Sequence, residues 1–84
     1  MDFMDTAALM ISDDYKDRFR AEYIQTSLRL ERLKCMLERL DDGELDFTPT
    51  CPRPLLNLQV KAMTDYLDVL EQRARLEGID GLDC

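Results

Sequence analysis

The stretch DDYKDRFRAEYIQTSLRLERLKCMLERLDD, residues 13–42, decides the fold. It contains no Gly and no Pro, and Phe19, Tyr23, Thr26, Leu30, Leu33, Leu37 and Leu40 recur along it at alternating steps of four and three. Such spacing keeps one stripe of a helix turned toward one neighbour. It predicts a helix over 13–42 carrying a coiled-coil seam of roughly three heptads, broken only by Thr26. Ser12 is the expected N-cap, with Asp13 and Asp14 in the first turn, where negative charge suits the helix dipole. Arg39 near the far end and Gly43 just beyond it are stop signals.

Working outward, residues 43–54 hold one Gly, all three prolines and two threonines, the composition of a loop. A second run without Gly or Pro follows over 55–77, with Pro54 at a first-turn position where its missing N–H costs nothing. Leu56, Val60, Met63, Leu67, Leu70 and Ala74 repeat the rhythm of the first seam, and Arg73, Arg75 and Gly78 close the helix. Two matched seams joined by a loop of this length predict an all-α fold, an antiparallel helical hairpin over residues 13–77. Residues 1–12 form an N-terminal arm or short helix, and residues 78–84 a C-terminal tail on which Cys84 sits free.

Both helices carry more apolar surface than one seam needs. Leu55, Gln59, Ala62, Tyr66, Val69 and Arg73 form a second row on the second helix, and Ile24, Leu28, Cys35 and Met36 lie off the seam of the first. A helix that is apolar over a wide arc needs a second neighbour. The arm, with Phe3, Met4, Leu9, Met10 and Ile11, is expected to fold over the hairpin, but it cannot cover a helix of about 43 Å at 1.5 Å per residue. Packing of hairpins into a homo-oligomeric bundle, dimer to hexamer, is therefore expected as well. A chain of 84 residues buries only about 60–65% of its unfolded surface, so partner chains would also reinforce a marginal core.

Composition narrows the chemistry. The chain has 18 acidic against 11 basic residues and a net charge of −7, which disfavours a DNA or RNA polymer as partner, because such binding needs a basic surface to replace counterions. No stretch approaches the length of a membrane span. The acidic start, Asp2 and Asp5, lacks the basic region of a signal peptide. With three unpaired-looking cysteines, Cys35, Cys51 and Cys84, this points to a reducing cytoplasm. Cys35 is expected partly buried, and the thiols inert. The absence of histidine removes the usual zinc ligand sets and the commonest general base. Residues 41–46, DDGELD, fail the spacing of a calcium loop because Gly43 falls where a ligand belongs. No enzyme, no catalytic residue, no metal and no cofactor are expected.

Binding chemistry is better represented. Arg18, Arg29 and Arg32 lie beside or near the rows of Tyr15 and Tyr23, and Arg73 lies near Tyr66 and Gln59. Arginine forks clamp phosphates and tyrosine faces stack on bases, so these groups brought together at a subunit interface could hold a nucleotide. Thr26, Gln59 and Arg73 interrupt apolar rows where Leu would stabilise more. Such breaks either fix register and oligomer state or line a ligand pocket between protomers.

One further pattern stands out. Asp14-Tyr15-x-x-Arg18-x-x-x-Glu22, the heptads of Leu30, Leu33 and Leu37, and then Leu55-Leu56-x-x-Gln59-x-x-Ala62-Met63-x-x-Tyr66-x-x-x-Leu70-x-x-Arg73 together resemble a family of small phage-encoded helical-hairpin proteins, found among others in crAss-like phages. That family is similar to the hairpin of the phage anti-CBASS and anti-Thoeris sponge proteins. The resemblance spans roughly residues 13–76. It implies an oligomer that sequesters a cyclic nucleotide or cyclic ADP-ribose immune signal without turnover, in the cytoplasm of the host cell. It further implies that Tyr15 and Arg18, with Gln59, Tyr66 and Arg73, touch the ligand while a neighbouring protomer completes the pocket. Thr26 stands where the pattern has Leu, and Tyr23 where it has a basic residue. With Thr26 and Arg29 added from the residue reading, the expected ligand site is Tyr15, Arg18, Thr26, Arg29, Gln59, Tyr66 and Arg73. The alternative is a helical adaptor or inhibitor that binds a host or phage protein through helix-in-groove recognition.

Overall fold

A computed structural model describes the backbone of residues 3–82 and the side chains of residues 7–82. The Phe3 and Met4 side chains and Cys84 lie outside the described residues. Three helices follow one another, α1 (Phe3–Met10), α2 (Tyr15–Asp41) and α3 (Arg53–Glu77), with no strand among the described residues. The helices α2 and α3 form the hairpin, and α1 folds back along α2. The result is a slab of 43 × 25 × 18 Å with α2 in the middle.

The seam residues face as their spacing predicts. Phe19, Leu30 and Leu37 of α2 and Leu56, Leu70 and Ala74 of α3 are buried, and Tyr23, Thr26, Leu33, Val60, Met63 and Leu67 are half-buried between them. On the opposite side of α2, Ala21 and Ile24 are 0% and 2% exposed. At 3.6 residues per turn these two cannot face α3. The helix packed on the other side of α2 is α1, so the arm answers part of the apolar surplus. Cys35 corrects an expectation: it is exposed, because eight residues of α1 reach only the N-terminal half of α2.

The helix ends explain the boundaries. Asp14, and not Ser12, caps α2: its backbone is extended (φ −79°, ψ 119°) and its carboxylate accepts from the Lys16 N–H at 2.9 Å. Ser12 is unavailable because its hydroxyl donates to Asp17 at 2.9 Å and accepts from the Asp14 N–H at 3.1 Å. The helix therefore begins at Tyr15, two residues later than its sequence suggests. At its far end Gly43 turns left-handed (φ 73°), and the Glu44 N–H returns to the Arg39 carbonyl at 2.8 Å. Pro52 precedes α3, and Pro54 falls in the first turn, so that helix starts at Arg53.

The C-terminal segment is pinned. Gly78 takes φ 70°, which lets the Ile79 N–H bond the Ala74 carbonyl at 2.9 Å and drops Ile79 into a core of Phe19, Leu70 and Ala74. Arg20 fastens the chain beyond it, donating through Nε to the Asp80 carbonyl at 2.7 Å and pairing with the Asp80 carboxylate at 3.2 Å. The main core thus sits at the end of the hairpin away from the loop. Leu70→Ala should cost about 2–5 kcal/mol, since it empties a fully buried site. Ile11→Ser, at a position 85% exposed, should change stability by no more than about 0.5 kcal/mol. Urea unfolding followed by circular dichroism measures both.

Candidate functional site

Along one long side of the hairpin, side chains of α2 and α3 meet across the groove beside the seam. The Tyr15 hydroxyl donates to Glu77 Oε1 at 3.0 Å and accepts from Arg73 Nη2. Arg73 also donates through Nε to Glu77 Oε2 at 3.1 Å, and its guanidinium lies 5.0 Å from the centroid of the Phe19 ring, a cation–π distance. Phe19 is tilted against Tyr15, with ring centroids 6.2 Å apart. One turn along α2, Glu22 accepts a hydrogen bond from the Tyr66 hydroxyl. Tyr15, Phe19, Arg73 and Glu77 thus form one interlocked cluster, and Glu22 with Tyr66 lies next to it.

Glu22 also belongs to a neighbouring cleft. Met10 at the end of α1 and Arg18, Glu22, Gln25, Thr26 and Arg29 of α2 line a depression of about 430 Å³. Its volume falls in the range of small-molecule sites. Arg18 is held at its rim, donating to the Ser12 carbonyl at 2.7 Å. Gln25 contacts Met10, so the end of α1 is one wall of the cleft.

Of the seven expected site residues, six therefore gather on this side. Arg18, Thr26 and Arg29 line the cleft, Tyr15 and Arg73 lie in the cluster, and Tyr66 reaches Glu22 between them. Gln59 stands apart. It lies two turns along α3 from Tyr66, about 10 Å at 1.5 Å per residue, and its side-chain amide points to the Met63 sulfur at 3.9 Å. The sequence reading did not place Glu22, Glu77, Gln25 or Met10 in the site. A signal for the two carboxylates exists: Glu22 follows Arg18 by four residues, and Glu77 follows Arg73 by four, the spacing of neighbours on a helix surface. No spacing could place Met10, which arrives through the fold-back of α1.

The electrostatics follow from the geometry. Partial desolvation and donation to Glu77 push the Tyr15 hydroxyl above its ordinary value, against the lowering pull of Arg73. Donation to Glu22 raises Tyr66 most, aided by partial desolvation and by the carboxylate charge. Arg73 is raised chiefly by its hydrogen bond to Glu77. Both tyrosines therefore stay neutral donors beyond pH 10. Because their folded values are raised, their contribution to stability is present below the ordinary value of 10.0 and is lost as pH climbs past the raised values. Glu22→Gln removes the charge that helps hold Tyr66 up. In an alkaline titration of tyrosinate absorbance, that variant should ionise one tyrosine at lower pH than the parent protein. An unchanged curve would show that Glu22 does not govern Tyr66.

Residues 13–76, the hairpin that carries this side, match the family model described as Sequestin. No curated protein and no solved structure matches the chain.

Proposed function

The chain belongs to the Sequestin family, and on that premise we propose that it binds a small anionic signal molecule and holds it without turnover. The family's name speaks of sequestration. What carries the finer reading is the gathering of two tyrosines and three arginines on one side of the hairpin, Tyr15 and Arg73 at Glu77, Tyr66 at Glu22, and Arg18 and Arg29 in an open cleft of about 430 Å³. The ligand class that suits these groups is a cyclic nucleotide or cyclic ADP-ribose type of immune signal. Arg18, Arg29 and Arg73 answer its phosphates, Tyr15 and Tyr66 its base, and Thr26 and Gln59 its remaining polar edges. The protein is then a phage anti-defence sponge, active in the host cytoplasm against signalling of the CBASS or Thoeris kind, and working as a homo-oligomer.

The two glutamates have a part in this. In the free protein Glu77 occupies the Nε edge of Arg73, and Glu22 holds the Tyr66 hydroxyl. Each phosphate of such a ligand offers the same acceptor chemistry and the same single negative charge, so binding exchanges an internal carboxylate for an external anion. The arginine and the tyrosines are thus held in place before the ligand arrives, which lowers the ordering cost of binding. Sequestration is stoichiometric, so slow release matters more than fast capture.

Calorimetry against cyclic di- and trinucleotides and cyclic ADP-ribose isomers tests the proposal. At least one should bind tightly and be recovered chemically unchanged. Arg73→Ala, which removes charged hydrogen bonds each worth about 1.5–3 kcal/mol, should then weaken it by roughly 10- to 100-fold while helix content is kept. Silence of the whole panel at micromolar concentration defeats the sponge reading. Capture of a specific protein instead would establish the adaptor.

A further inference from the structure

The helix α3 has a second apolar stripe that no described residue of its own chain covers. Leu55, Leu58, Val69 and Leu76 are 53%, 59%, 51% and 89% exposed, and Ala62 between them is exposed too. At 3.6 residues per turn these five fall on one side of the helix, turned away from the inner seam of Leu56, Leu70 and Ala74. An exposed apolar row on a small protein, here broken by Asp65 and Tyr66 and again by Gln72 and Arg73, points to an interaction surface.

The row is close to a palindrome. Leu55 and Leu76, and likewise Ala62 and Val69, are placed symmetrically about the midpoint between Asp65 and Tyr66. A twofold axis at that midpoint lays two α3 helices antiparallel, with Leu55 level with Leu76 and Ala62 level with Val69 across the pair, while Leu58 falls level with Arg73 of the partner subunit. A self-complementary patch of this kind is what an isologous interface requires. The axis brings the Asp65 carboxylate of each copy toward that of the other, each paired with its own Lys61. On the flank away from the candidate site, Lys61 is bound to Asp65 at 2.7 Å, and the axis brings it near the level of Asp68 of the partner subunit. On the other flank, Gln59 and Arg73 lie seven residues to either side of Tyr66.

We propose that α3 pairs antiparallel with α3 of a second copy about an axis beside Asp65 and Tyr66, and that each copy's Gln59 joins the Tyr66–Arg73 edge of the other copy's site. This deepens the proposed function, on which the role given to Gln59 rests. It accounts for Gln59, a polar residue in an apolar row that is about 10 Å from the Tyr66 of its own chain by helix rise. Within one copy Gln59 is remote from the cluster; across the axis it comes within one residue of the level of Arg73 of the partner subunit.

Disulfide trapping tests the pairing without any ligand. In a background with Cys35, Cys51 and Cys84 replaced by serine, Asp65→Cys should cross-link with itself near the axis, and Leu55→Cys should not. Chains carrying Gln59→Cys and Arg73→Cys should cross-link when mixed, and neither should alone. Self-linking of Leu55→Cys would mean a parallel pairing and overturn the proposal, as would a single-chain mass for the parent protein in sedimentation at 0.1 mM, roughly the upper end of the micromolar range at which weak pairs form. Val69→Glu, with helix content checked by circular dichroism, should halve the sedimenting mass. The two proposals fail separately. Cross-links without ligand binding remove the sponge, and tight binding by a single chain removes the pairing.

Discussion

Burial of α2 on two opposite sides is the constraint from which the rest of the structure follows. One stripe, through Phe19, Leu30 and Leu37, goes to α3, and a second, at Ala21 and Ile24, is covered on the other side by α1. A short chain has little apolar surface to spend on a core, and placing its longest helix in the middle lets both neighbours share one scaffold. The consequence is an asymmetry. The α3 helix is covered on one side only, while α2 is covered on two and left open along a third. The candidate site lies along that open side, where no helix is available to close it.

The core is concentrated at the end of the hairpin that also carries the site. Phe19, Leu70, Ala74 and Ile79 pack together there, and Phe19 offers its ring to Arg73. A single aromatic side chain therefore belongs to both core and site. Ile79 and the Arg20–Asp80 clamp fix the end of α3, and with it the direction in which Arg73 and Glu77 project. Packing thus fixes the backbone from which the site's side chains project, and their hydrogen bonds to Glu22 and Glu77 set the directions of the side chains themselves. Those groups sit in partial contact with water, and exposed ion pairs contribute little stability.

The hairpin was legible in the sequence because its seams are set by spacing, and spacing is local. Six of the seven expected site residues fall on one side for the same reason: helical rows carry residues at steps of three, four and seven onto one face. What the sequence concealed depends on contacts between distant segments. Ser12 carries the usual signature of a cap, yet its hydroxyl is taken by Asp17, and Asp14 caps in its place. The sequence marks residues 78–84 only as a tail, whereas the left-handed turn at Gly78 returns Ile79 to the core. Cys35 lies in the same off-seam set as Ile24, and only the short reach of α1 separates the buried residue from the exposed one.

Charge gives the last connection. A chain with a net charge of −7 is a poor general trap for anions, and a long-range attraction would be screened within about 8–10 Å in any case. Recognition on such a surface must act at contact, through groups already aimed. Glu77 and Glu22 meet that need by holding Arg73 and Tyr66 in place, at the cost of a competitor that every ligand must displace. On the proposed function, that competition is what makes the surface selective. A single phosphate replaces one carboxylate and gains little, whereas a ligand with several phosphates and a base can reach Arg73, Tyr66 and the arginines of the cleft together. The acidic composition that argues against a nucleic-acid polymer is therefore compatible with a compact, polyvalent nucleotide, and the internal carboxylates are what separate the two.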